Sequence, residues 1–75
     1  MALVKKLNQI KLDRPFVHDE VECTCVVFTA DDGRKYIQLD TYGSKHRKIP
    51  NKKSQSLQLG PEAVVALREL IKQHF

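Results

Sequence analysis

The chain has 75 residues, 41% of them hydrophobic, with 13 Lys and Arg against 9 Asp and Glu and a formal net charge of +4. That length makes one domain with little room for both a core and a deep substrate pocket, which excludes most self-contained enzymes. A chain this small buries only about 60% of its unfolded surface, so it gains from a second copy, while ordinary apolar content and few Pro and Gly argue against disorder.

Cys23 and Cys25 are too close in sequence to staple a useful loop, and on an extended strand their thiols share one face without good bridging geometry. This argues for a reducing compartment over a secreted disulfide scaffold. The N-terminus, MALVKKLNQIKLDRP, holds no apolar run long enough for a signal-peptide core or a spanning helix. The expectation is a soluble protein of the cytoplasm, nucleoid-associated in a prokaryote or nuclear in a eukaryote, with no membrane partner.

Residues 1–16 form a leader in which Leu3, Leu7, Ile10 and Leu12 fit either a short helix or an extended arm. Arg14 precedes Pro15 and is therefore extended. Residues 17–75 are expected to form the sheet-and-helix core of a single domain. Glu20–Ala30 reads as a strand, with Val21, Cys23 and Cys25 alternating against Glu22 and Thr24. The run Val26-Val27-Phe28 breaks the alternation, which predicts burial on both sides or a bulge. Asp31-Asp32-Gly33 is a hairpin turn signal. Lys35–Tyr42 alternates again, with Ile37 and Leu39 on one side and Tyr36, Gln38, Asp40 and Tyr42 on the other.

A basic loop follows, and Ser56–Leu59 reads as a short further strand with Leu57 and Leu59 on one face. Gly60-Pro61-Glu62 opens a helix: Pro suits the first helical position and Glu complements the helix dipole. Over residues 61–74, Ala63, Val64, Leu67, Leu70 and Ile71 form one apolar stripe, and Val65 and Ala66 lie outside it. One stripe can cover the sheet while its flank meets a second chain. The fold class is α+β: a small curved antiparallel sheet of three to four strands, then one C-terminal helix, with the other sheet face open.

Charge carries the first functional signal. Between positions 34 and 53 lie seven basic residues (Arg34, Lys35, Lys45, Arg47, Lys48, Lys52, Lys53) and one acid, Asp40, a local net of +6. A segregated positive segment is the electrostatic footprint of a polyanion partner. Tyr36 and Tyr42 on one strand face, edged by these cations, can stack bases and hold a phosphate backbone. The only clear helix carries just Arg68 and Lys72 as cations and does not resemble a duplex reader.

Other chemistries are poorly served. His18, His46 and His74 have no recognisable spacing to the cysteines, and Cys-x-Cys without a knuckle or a second pair is not structural-zinc spacing. Gly33, Gly43 and Gly60 are too far apart to cradle a phosphate. Neither catalysis, metal nor cofactor is expected.

Residues 33–71 resemble the single-stranded-DNA-binding domain of the transcriptional coactivator positive cofactor four and its bacterial and phage relatives. The resemblance runs through Gly33-Arg34, Ile37-Gln38-Leu39, Thr41-Tyr42, the basic pair Lys52-Lys53, Leu57-Gln58-Leu59 and the helix PEAVVALREL. Asp40 stands where the family often has Arg, and Gly43 where the eukaryotic form has a stacking Trp. The resemblance implies a four-stranded sheet plus helix and two chains dimerising through their helices, with Val64, Val65, Leu67, Arg68 and Ile71 at the interface. It also implies single-stranded DNA across the basic sheet face, in transcription or in replication, recombination and repair. The expectation is therefore a homodimeric, sequence-tolerant binder of single-stranded nucleic acid, DNA preferred. Tyr36 and Tyr42 would stack bases, and Arg34, Lys35, Lys45, Arg47, Lys48, Lys52 and Lys53 would neutralise phosphates. The competing expectations are RNA binding and a module that recruits an acidic protein partner.

Overall fold

In the computed structural model, which describes residues 1–43 and 53–75, four strands form one open sheet followed by a helix. The strands are β1 (Ala2–Val4), β2 (Cys23–Thr29), β3 (Lys35–Tyr42) and β4 (Lys53–Leu59), and the helix α1 spans Pro61–His74. The order across the sheet is β1-β4-β3-β2. The α+β expectation holds.

Strands β2 and β3 form the hairpin because the turn between them is built for it. Ala30 and Arg34 close the loop through an N–H···O bond of 2.9 Å, and the Gly33 N–H donates to the Ala30 carbonyl at 2.9 Å. Gly33 adopts φ 83°, the left-handed conformation that a side chain resists. The Asp32 carboxylate accepts from the Arg34 backbone N–H at 2.9 Å and the Tyr36 hydroxyl at 3.2 Å, pinning the turn to the start of β3.

The ladder then runs residue for residue from Thr29–Lys35 to Cys23–Thr41. Val26-Val27-Phe28 carries no bulge, and Val26 and Val27 are exposed on opposite faces, which corrects the sequence expectation. The irregularity lies instead in the β3–β4 pairing. Thr41 faces Gln55 while Tyr42 faces Lys53, so β4 holds one extra residue there. Strand β4 is also longer than expected, starting at Lys53 rather than Ser56.

Strand β1 pairs with β4 in parallel, Ala2 against Leu57 and Val4 against Leu59, so the sheet is mixed rather than antiparallel. The leader thus contributes a strand to the sheet, and residues 5–22 then run without regular structure to β2 at the opposite edge. A parallel neighbour requires such a long crossover.

The pairings sort side chains onto two faces. One carries Val4 and Ala2, Leu59 and Leu57, Ile37 and Leu39, and Val27, Cys25 and Cys23. The helix packs on this apolar face against β3 and β4. Gly60 caps its start in extended conformation, Pro61 occupies the first turn, and Glu62 sits by the positive end. The expected stripe is only partly inward. Ala63 is buried and Val64 and Leu70 are half-buried, but Leu67 and Ile71 are exposed, while Ala66 is half-buried. The sheet supports mainly the first turns of the helix, so burial falls away toward its C-terminal half. Among the described residues only Leu59 and Ala63 are buried apolar side chains.

Candidate nucleic-acid interface

The second sheet face is polar along its two central strands, with exposed Leu3 and Val26 on the outer strands, and is uncovered by the helix. Across its centre runs a hydrogen-bonded ladder. Gln58 Nε2 donates to Gln38 Oε1 at 2.9 Å, and Gln38 Nε2 donates to both Asp40 carboxylate oxygens at 3.1 and 3.0 Å. Ser56 Oγ donates to Asp40 Oδ1, and Lys53 Nζ lies 3.3 Å from Asp40 Oδ2. The ladder follows from the register: Gln38 is opposite Gln58, and Asp40 is opposite Ser56. The Ser56 hydroxyl, then the Gln38 amide, then the Lys53 ammonium hold the Asp40 carboxyl below its ordinary pKa, outweighing the desolvation that pushes it up. Asp40 is only 3% exposed, and no buried polar side-chain atom among the described residues lacks a partner.

Aromatic rings stand at both ends of this ladder. At one end Phe28 and Tyr36 stack, with centroids 5.6 Å apart and ring planes at 24°. At the other, the Tyr42 hydroxyl shares a hydrogen bond of 3.1 Å with Thr24 Oγ1. Both tyrosines are half-buried, so each ring is held by its neighbours and retains open surface.

Beside Tyr36 lies an open cleft of 490 Å³ lined by Leu3, Lys5, Arg34, Tyr36, Gly60, Pro61 and Glu62. Gly60 keeps its floor low: a Cβ there would meet Tyr36 Cε1 at 3.9 Å and the Val4 carbonyl at 3.5 Å. Two cations, Lys5 and Arg34, face this cleft, with Glu62 as a counter-charge. Lys5, which precedes Lys6, lies outside the basic segment between positions 34 and 53. Its place at the cleft depends on β1 docking beside β4, which local patterning does not announce.

The expected binding residues therefore divide. Tyr36 and Tyr42 lie on the polar face at opposite ends of the ladder, and Arg34 lines the cleft beside Tyr36. Lys53 is on that face too, but its charge is already answered by Asp40. Lys35 lies on the opposite face, beside Val27, Ile37, Pro61 and Val64, because it is an odd position of β3. Lys45, Arg47, Lys48 and Lys52 lie outside the described residues. Of the expected interface residues, Val65, Leu67, Arg68 and Ile71 are exposed on the helix and Val64 is half-buried against the sheet. Cys23 and Cys25 are free thiols on the apolar face. No helix among the described residues is long and apolar enough to cross a membrane.

No protein-family model, no curated protein and no solved structure matches the chain.

Proposed function

We propose that this chain binds single-stranded nucleic acid, DNA preferred, across the polar sheet face, and that it does so as a homodimer. The observation that carries the reading is the open face itself. Its hydrogen-bonding groups are satisfied among themselves, and it is bounded by Tyr36 with the adjacent cleft at one end and by Tyr42 at the other. A face of that kind presents rings for stacking without demanding one base sequence, and stacking is worth roughly 1–3 kcal/mol per base.

The electrostatics support the same reading. Lys5 and Arg34 flank the cleft at the Tyr36 end. The segment 44–52, with Lys45, Arg47, Lys48 and Lys52 in its sequence, joins β3 just after Tyr42 to β4 at Lys53. Phosphates are expected at these two ends, and bases over the neutral centre. The resemblance to the positive cofactor four domain points the same way, with the roles in transcription or in replication and repair that the family implies.

A fluorescent oligo-dT titration at low and moderate salt, with the matching duplex and oligo-U as competitors, tests this. Salt-sensitive binding that duplex fails to displace is expected, with oligo-U the weaker competitor. Absence of binding at low salt would overturn the nucleic-acid reading.

A further inference from the structure

Strand β2 is an edge of the sheet, and it is poorly protected. Edge strands in monomeric proteins are usually short, or carry Lys, Pro or a bulge, because a row of unpaired backbone groups invites another strand. Strand β2 is seven residues long, reads CTCVVFT, has no charge, proline or glycine, and pairs with β3 without any register shift.

Its hydrogen-bonding phase can be read from the ends of the hairpin. The Tyr42 N–H donates to the Glu22 carbonyl, and the Ala30 N–H to the Arg34 carbonyl. In an antiparallel ladder such pairs alternate. Thr24, Val26 and Phe28 therefore bond inward to β3, and the backbone groups of Cys23, Cys25, Val27 and Thr29 point outward. Among the described residues no backbone hydrogen bond reaches that outer edge.

We infer that the homodimer forms by antiparallel pairing of β2 with β2 of a second copy, about a two-fold axis at Val26, giving one continuous eight-stranded sheet. The occupant is a second copy because the edge is self-complementary. With the axis at Val26, Cys25 falls opposite Val27 and Cys23 opposite Thr29. Every outward-pointing residue then meets another outward-pointing residue, and the full seven-residue strand is used. Val26 meets its own counterpart, and the small and β-branched side chains on both faces interlock without a like-charge contact. The helix packs mainly over β3 and β4, the strands away from this edge.

Apolar surface stands open on both sides of this edge. Val26 and Val27, on opposite sides of the edge strand, are 50% and 64% exposed. A two-fold axis perpendicular to the sheet keeps both polar faces on one side and both helices on the other. The paired face would be about 38 Å wide at the usual strand spacing. The inference deepens the homodimer half of the proposed function, and it is independent of the nucleic-acid half. It assigns the contact to the strand edge rather than to Val65, Leu67 and Ile71 of the helix.

The test is the oligomeric state of the full chain by sedimentation at about 0.1 mM, where even a dimer with a Kd of about 1 µM is populated. Val26→Lys and Val26→Glu should each be folded by circular dichroism and shifted to monomer, since like charges would oppose across the axis. Mixing the two should restore the dimer. In a Cys23→Ser, Cys25→Ser background, Val26→Cys should oxidise to a cross-linked pair, because opposed residues outside the hydrogen-bonded pairs approach within disulfide range. The same background with Ile71→Cys should not. A monomeric parent chain, a dimer indifferent to charge at Val26, or cross-linking through Ile71 instead of Val26 would each overturn the inference. Should Val26→Lys fail to fold, the Val26→Cys cross-link still decides. Oligo-dT binding is measured on the parent chain, because Val26 is opposite Gln38 on the polar face and a charge there would alter binding directly; on the parent chain it reports separately on the nucleic-acid reading.

Discussion

Lys53 Nζ sits 3.3 Å from Asp40 Oδ2, so the cation that β4 brings to the polar face is paired with an acid of that same face. The pair exists because of the extra residue in β4. With Tyr42 opposite Lys53 and Asp40 opposite Ser56, the lysine can reach back along the face to the carboxylate. The acid at the centre of the polar face is thereby paired with a cation, and the pair carries no net charge.

Replacing Asp40 with Asn should free that lysine. Asp40→Asn keeps an oxygen to accept from Ser56 or Gln38 but removes the negative charge. Oligo-dT affinity should rise several-fold at low salt. The slope of log K against log salt should steepen by about one, the signature of one more neutralised phosphate. An unchanged slope in a fluorescence titration would mean that Lys53 does not face the ligand.

Acid stability follows from the same carboxylate. The folded-state pKa of Asp40 is lowered by Ser56, Gln38 and Lys53. Its contribution to stability is therefore fully present above the unfolded value, about 3.9, and is lost as pH falls through the lower folded value. Thermal unfolding followed from neutral pH downward should show a loss below about pH 4 that is smaller in Asp40→Asn. The substitution should cost stability at neutral pH and progressively less as the pH falls.

The hairpin and the helix start were legible in the sequence because their causes are local. Asp31-Asp32-Gly33 sets the turn, alternation from Lys35 to Tyr42 sets the faces, and Gly60-Pro61-Glu62 opens the helix. Strand β1 was not legible as a parallel strand, since three residues carry no usable period and the partner, β4, lies some fifty positions away. The inward side of the helix departs from the apolar stripe at Leu67 and Ile71 for a related reason: periodicity defines a stripe but does not say how far the sheet extends beneath it. Of the candidate site, the two tyrosines and Arg34 could be placed from alternation. Lys5 needed β1, and the neutralisation of Lys53 needed the register shift beside Tyr42.

The two faces make the cations separable by experiment. Lys5 and Arg34 flank the cleft beside Tyr36, while Lys35 projects to the side on which the helix packs. Lys5→Ala and Arg34→Ala should each weaken oligo-dT binding and reduce the salt slope by about one. Lys35→Ala should leave the slope unchanged although it removes the same formal charge. Equal effects from all three would indicate a diffuse attraction to the net charge and no defined face.

The small core makes one last prediction sharp. Leu59 is 5% exposed and Ala63 is fully buried, whereas Leu57, two residues earlier on the same face, is 39% exposed. Truncating a buried leucine to alanine typically costs about 2–5 kcal/mol. A chain of this length is stable by about 4–11 kcal/mol in total. Leu59→Ala should therefore lose about a fifth or more of the stability, and Leu57→Ala clearly less, with urea midpoints at one fixed protein concentration as the readout. Pairing through the β2 edge leaves Leu57 uncovered, so its truncation should remain mild at every concentration. Were Leu57→Ala as costly as Leu59→Ala, and increasingly so at higher concentration, the apolar face and not the strand edge would be what a second copy covers.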